Sequence, residues 1–209
     1  MPRPSTADER RRDLLPSIAE AFARTGYARA TTAELAARCA VPENTLFRLW
    51  GGKKGMYLAA LDHLYERTVD TWTRHLARAG GGASAAERLL DHEGTHYGEH
   101  GLYRIVFTGL SELDDPDIRG ALRTMYRRFH AFVAEQIAAH RSGPARDTEL
   151  RRIAQLAWTV IGMATVAGIG RELGLVSRAQ QRELFSGTGH ALLDLQPDVR
   201  TTTKKANRS

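Results

Sequence analysis

The chain has 209 residues, a formal net charge of +6 at pH 7 and a pI of about 9.8. That length suits one or two domains with a sizeable core, and the basic balance favours an acidic partner such as DNA. The single cysteine, Cys39, excludes an internal disulfide, which is typical of a reducing cytoplasm. Because no signal-peptide pattern is present and the longest apolar run, residues 156–169, is too short to span a bilayer, we expect a soluble cytoplasmic protein without a membrane partner.

The N-terminal residues predict a loose polar arm at 1–10 and then an amphipathic helix to about residue 25. Leu14, Ile18 and Phe22 recur at helical spacing, and Gly26 is placed to end the helix. Pro16 predicts a bend or a late start, because proline inside a helix removes one hydrogen bond.

Two short helices joined by a tight turn are predicted next. Thr31 and Glu34 have the spacing of a capping box, so Thr31 is the expected N-cap of the first. Pro42 follows the break at residues 40–41 and is placed to open the second, which reaches about Trp50.

The outward face of this second helix is predicted to carry an amide, a hydroxyl and a guanidinium, from Asn44, Thr45 and Arg48. Arginine can donate two hydrogen bonds to guanine, and asparagine can pair with adenine through two, so the face is suited to reading bases in a major groove. An ordinary solvated helix face explains the same pattern equally well.

These residues also resemble the TetR family of bacterial transcriptional repressors. The similar pattern is Gly26-Tyr27-x-x-x-Thr31-Thr32-x-x-Leu35-Ala36-x-x-x-Ala40-Val41-Pro42-x-x-Thr45-Leu46-Phe47-x-x-Trp50-x-x-Lys53. The resemblance implies a three-helix DNA-binding head, a helical body that binds a small molecule and dimerises, and release of DNA when the ligand binds. It also implies a set of DNA contacts, with phosphates held by Thr31, Thr32 and Lys53 and a reading helix that includes Pro42, Glu43, Asn44, Thr45, Phe47 and Arg48.

Two positions in that set depart from the family pattern. Phe47 replaces a tyrosine and cannot donate a phenolic hydrogen bond to phosphate, so a contact with sugar or a thymine methyl is what it offers. Asn44 stands where the family usually has glycine, and it is a candidate base reader.

The motif His92-Glu93-x-x-His96 is a competing signal, because two histidines one helical turn apart can bind zinc while the glutamate activates water. His100 does not fall where the extended motif needs its third ligand. We therefore predict no enzyme, cofactor or metal, and keep as the alternative a zinc-dependent hydrolase or metal-responsive regulator using His92, His96 and His100.

The remaining helices are predicted at residues 53–78, 101–113, 116–140, 147–173 and 178–195. The helix at 147–173 is apolar nearly all round between residues 156 and 169, which favours either a subunit interface or a central core helix. Its small residues would allow close approach of a second helix: Ala157, Ala164, Gly168 and Gly170.

Together these features predict an all-α fold of about nine helices, with a head at residues 1–56, a body at 57–197 and a disordered tail at 198–209. The predicted function is that of a homodimeric repressor, released from a palindromic double-stranded DNA operator by a small apolar or aromatic effector. The expected effector pocket is aromatic, although each of its residues also suits an ordinary core: Trp72, Tyr97, Tyr103, Phe107, Tyr126, Phe129, Trp158 and Met163.

Overall fold

A computed structural model describes residues 6–78, 82–98, 103–141 and 147–194, and within these ranges the chain is helical with no strand. The first four helices are α1, Thr6–Arg29; α2, Thr32–Arg38; α3, Glu43–Trp50; and α4, Lys53–Leu76. They are followed by α5, Ala85–His96; α6, Tyr103–Gly109, with a 3-10 turn, Leu110–Glu112; α7, Pro116–His140; and α8, Asp147–Glu172. The last three helical segments follow one another without a break and are together called the last rod: α9, Arg178–Glu183; a π-helical turn, Leu184–Gly189; and α10, His190–Asp194.

If the last rod is counted as one helix, the described part of the chain has nine helices, as predicted. Several predicted features lie outside the described residues: the start of the arm at 1–5, the glycines at 80 and 81, His100, Leu102, the break at 143–144 and the tail at 198–209.

The predicted capping box of α2 is confirmed. The Thr31 hydroxyl accepts from the Glu34 backbone N–H at 3.2 Å, and the Glu34 carboxylate accepts from the Thr31 N–H at 3.0 Å. Pro42 was predicted as the first residue of α3, but it is the N-cap, and the helix begins at Glu43. Gly51 ends the helix at φ 75°. Local chemistry therefore determines both ends of the tight turn.

The late start predicted at Pro16 is wrong, because α1 begins at Thr6. The α1 helix passes through Pro16, and the one residue inside it with non-helical backbone angles is Gly26, at φ 73°. Pro16 leaves the carbonyl of Arg12 without its usual helical donor, but Arg12 is exposed to water, which can satisfy it. Gly26 is required where it lies, because a Cβ there would come within 3.1 Å of the Thr108 side chain.

One hydrophobic core joins the head to the body. Phe22 of α1 and Tyr57 of α4 meet edge to face at 5.2 Å, and Ile105 and Ile118 belong to the same buried cluster. The Tyr57 phenol donates to the Ile105 carbonyl at 2.8 Å. The predicted boundary after residue 56 thus lies inside α4 and does not separate two cores.

A second core fills the far end of the body. Its buried residues come from the end of α4 and from α5, α7, α8 and the last rod, for example Trp72, Leu90, Val133, Leu156 and Phe185. The helix predicted at 101–113 is shorter than expected, because α6 ends at Gly109 and a 3-10 turn follows; Leu110, at the start of this turn, is exposed.

The small residues of α8 pack within the chain rather than on its outer face. A Cβ on Gly168 would lie 2.9 Å from the Tyr97 ring, and one on Gly170 would lie 2.6 Å from Val176; Ala157 is fully buried. The apolar residues that α8 leaves exposed are larger: Trp158, Val166 and Ile169. Among the described residues, α8 is the one helix with an 18-residue window long and apolar enough to cross a membrane by length and composition, a test that core helices of soluble proteins also pass.

Candidate functional site

The outward face of α3 is narrower than the helical wheel predicted. Asn44, Phe47 and Arg48 are exposed, whereas Thr45 is only 6% exposed. Thr45 lies beside Leu46 and one turn before Leu49, so it belongs to the buried stripe. Its prediction as an outward base reader is therefore wrong, and the exposed stripe consists of Asn44, Phe47 and Arg48.

The starts of α2 and α3 are tied to each other. The Thr32 hydroxyl donates to the Glu43 carboxylate, and the Thr31 hydroxyl is engaged in the cap of α2. At the other end of α3, the Arg11 guanidinium donates to the Leu49 carbonyl at 2.8 Å. These contacts hold α3 at a fixed angle to α1 and α2, which a reading helix requires.

Lys53 lies at the first turn of α4, but its ammonium group already has partners. It donates to the Tyr27 carbonyl at 3.0 Å and lies 4.5 Å from the centre of the Tyr27 ring. The neighbouring Lys54 pairs with Asp115 at 3.2 Å and Asp117 at 2.6 Å, at the start of α7. Lys53 thus supports the end of α1, and Lys54 joins α4 to α7.

The body encloses a cavity of about 490 Å³, within the usual size range of small-molecule sites. Its wall is formed by α4 to α8 with contributions from the last rod. Six of the eight predicted aromatic and apolar residues line it: Trp72, Tyr97, Tyr103, Phe107, Tyr126 and Phe129.

The other two predicted pocket residues do not line the cavity. Trp158 is 49% exposed and its ring packs 4.8 Å from that of His130. Met163 packs in the second core, where its methyl group would lie 3.4 Å from a Cβ on Gly189. The stripe of α8 that faces the cavity is instead Val160, Ile161, Ala164 and Thr165.

Glu93 is a cavity residue that sequence reasoning assigned to metal chemistry. The indole N–H of Trp72 donates to its Oε1 at 2.6 Å. Burial raises the pKa of Glu93 to about 7, against the lowering effects of the Trp72 hydrogen bond and of the nearby His96. The motif at residues 92–96 does not predict the contact with Trp72, because Trp72 lies on α4 and Glu93 on α5.

The histidines beside Glu93 are not arranged as zinc ligands. The rings of His92 and His96 stack at 4.5 Å, and His96 Nδ1 lies 3.0 Å from the His92 carbonyl oxygen. A catalytic zinc site needs three protein ligands. No group of three or more potential ligands is arranged for a metal among the described residues, and His100 lies outside them.

A buried polar network, which sequence reasoning also missed, anchors the end of α5. The fully buried Gln181 amide donates to the Gly94 carbonyl at 3.1 Å and accepts from Arg171 at 3.2 Å. Arg171 also donates to the Tyr97 carbonyl. Because these carbonyls end a helix beside the cavity, α8 and α9 hold that wall in place.

The arrangement of α2 and α3, with the exposed stripe of α3 facing outward, is that of a helix-turn-helix, through which many transcriptional regulators bind DNA. Residues 14–60 match the family model described as bacterial regulatory proteins, tetR family. This match covers the helix-turn-helix region and agrees with the family resemblance that the sequence pattern predicted.

Solved structures with the same fold cover nearly the whole chain. A TetR-family regulator from Cytophaga hutchinsonii is 16% identical, with a TM-score of 0.72, over 92% of this chain and 96% of that one. One from Rhodococcus sp. is 17% identical, with a TM-score of 0.71, over 89% and 99%. A transcriptional regulator from Saccharomonospora viridis, solved in complex with choline, is 23% identical, with a TM-score of 0.66, over 85% and 94%. At these identities the likeness concerns the fold, and no curated protein matches the sequence.

Proposed function

We propose that this protein is a cytoplasmic, homodimeric repressor that leaves a palindromic operator when a small molecule fills the cavity of the body. The observation that carries the proposal is that one helix, α4, begins in the head and ends in the cavity wall. A related fold that was solved with choline supports a small-molecule effector.

The proposed base contacts come from Asn44 and Arg48, because both are exposed on one stripe of α3. Phe47, on the same stripe, is suited to a thymine methyl or a sugar. Thr31, Thr32 and Lys53 remain the proposed phosphate contacts, and they would have to share or exchange their present hydrogen bonds on DNA. Pro42 and Glu43 begin the reading helix, and the hydrogen bond between Glu43 and Thr32 supports a positioning role for Glu43.

The proposed dimer interface is the exposed face of α8 with the adjacent face of the last rod. Trp158, Val166 and Leu173 are 49%, 65% and 67% exposed and recur at helical spacing. Gly162 and Gly187 face open space, so a second copy could approach closely at both. An apolar stripe of this length favours a subunit contact, since exposed patches of this kind mark interaction sites.

Release from DNA would depend on α4. Leu64, Thr68 and Trp72 of this helix line the cavity, while Lys53 and Tyr57 hold its first turns against α1 and α6. An effector that displaces the Trp72 end would tilt the Lys53 end and change the spacing of the two reading helices in the dimer.

A binding titration tests the proposal. Purified full-length protein is titrated against DNA from upstream of its own gene and against a scrambled sequence, at two salt concentrations. We expect a preference of about 10³-fold or more for the upstream fragment. Equal and strongly salt-dependent affinity for both sequences would contradict specific regulation, because phosphate contacts alone produce that result.

A further inference from the structure

The cavity has one acidic residue in its wall, as far as the described residues form it. Glu93 lines the cavity, and its side chain is 15% exposed. Its Oε1 accepts the hydrogen bond from Trp72. A molecule bound in the cavity would therefore meet this carboxylate in the wall.

Aromatic rings line the same cavity as this carboxylate. Trp72 lies 5.6 Å from Phe129, and Tyr97 lies 5.9 Å from Tyr103, measured between ring centres; Tyr126 lines the same cavity. The faces of aromatic rings carry negative potential and attract cations, most strongly where water is excluded. Carboxylate and rings therefore favour the same kind of ligand.

The basic residues of the cavity wall are placed differently. Arg67 and Arg74 belong to exposed positions of α4, and Arg74 is paired with Asp70 at 2.9 Å. His92 lies 4.0 Å from the Glu93 carboxylate, and its ring stacks between those of His75 and His96. The positive groups thus lie at the exposed rim, whereas the carboxylate lies inside.

We propose that the effector of this protein is an organic cation, a protonated or quaternary amine with an apolar body, whose charge is recognised by Glu93 and the aromatic rings of the cavity. The inference rests on the proposed function, in which the cavity is the effector site. A cation bound inside the cavity would supply a counter-charge to Glu93, which agrees with the raised pKa of this buried carboxyl group.

The test compares three probes of similar size in the full-length protein by calorimetry at pH 8, where Glu93 is ionised. The probes are benzyltrimethylammonium, its uncharged carbon isostere neopentylbenzene, and the anion 3-phenylpropanoate. We expect the cation to bind at least about tenfold more tightly than either of the others. In Glu93→Gln, which keeps the shape and an acceptor for Trp72, the preference for the cation over its isostere should shrink to what the rings alone provide.

Glu135→Gln is the matched control, because it removes the same charge from an exposed position on α7 that does not line the cavity. It should leave the preference for the cation unchanged. Equal binding of cation and isostere by the unmodified protein, tighter binding of the anion, or no binding of the cation at millimolar concentration would each overturn the proposal. The comparison of probes in the unmodified protein stands even if Glu93→Gln folds poorly.

The operator titration on the same preparation distinguishes a failure of the proposed effector charge from a failure of the proposed function. Specific binding to the upstream DNA without a preference for the cation would overturn the proposal of a cationic effector, while the proposed regulatory function would stand. Loss of operator specificity would overturn the proposed function, whatever the probes show.

Discussion

Because the pKa of Glu93 is raised, we predict that the free energy of unfolding falls as the pH rises and Glu93 ionises. Glu93→Gln should remove this pH dependence. The pKa is about 7 in the folded protein and 4.5 in an ordinary environment. Below pH 4.5 the carboxyl group is neutral in both states and costs nothing. As the pH rises from 4.5 to 7, the unfolded chain releases its proton first, so the free energy of unfolding falls by about 1.4 kcal/mol per pH unit. The full loss, above pH 7, is about 3 kcal/mol.

The assay is urea unfolding of the unmodified protein and of Glu93→Gln at pH steps from 5 to 8.5, at one fixed protein concentration. The two proteins should differ little at pH 5, and the variant should be more stable by about 3 kcal/mol at pH 8. Other titrating groups cancel in the difference unless they interact with Glu93. The groups that face it or its surroundings are His75, His92, His96, Arg67, Arg74, Arg171, Tyr97, Tyr103 and Tyr126.

A difference that does not change with pH would refute the reasoning, because it would mean that water solvates the Glu93 carboxylate in the folded protein. Glu135→Gln should follow the unmodified protein at every pH. A bound quaternary ammonium probe should also reduce the slope of the unmodified protein, since it stabilises the ionised carboxylate.

Three further substitutions test the DNA-binding face of the head, the packing between head and body, and the proposed dimer interface. Arg48→Ala should weaken operator binding by about 1–3 kcal/mol and relax specificity at one base pair, and an equal loss on all sequences would limit Arg48 to backbone contacts. Gly109→Ala should lower stability by about 1–3 kcal/mol, because the new Cβ would lie 2.2 Å from the Tyr57 phenol oxygen; adding Tyr57→Phe should restore part of it in thermal unfolding. Val166→Asp should convert dimers to monomers in sedimentation experiments, whereas Leu113→Asp, at another exposed apolar position, should not.

The sequence predicted most accurately those features that depend on local chemistry. The capping box at Thr31 was confirmed. The helix predicted to start at residue 116 does so, and the carboxylate of Asp115 caps it by accepting from the Asp117 and Ile118 N–H groups. Such signals work because the residues that satisfy a helix end lie within a turn of it.

The errors concern positions whose environment depends on distant packing. Thr45 and Trp158 lie at the border between two faces of a helix, where a shift of one position, about 100°, decides between core and solvent. Glu93 belongs to a motif that suggests zinc, yet its role depends on Trp72, which lies 21 residues away on another helix. Only the packing of α4 against α5 brings these two side chains together.

The core that the head shares with the body limits how regulators of this fold can be recombined. Phe22 packs against Tyr57, and Gly26 lies against Thr108, so a chimera joined at residue 56 would place the head on foreign residues of α4 and α6. The head is therefore not a portable module. Operator preference is better exchanged by grafting only the exposed stripe of α3, because Asn44, Phe47 and Arg48 can change without disturbing a buried contact.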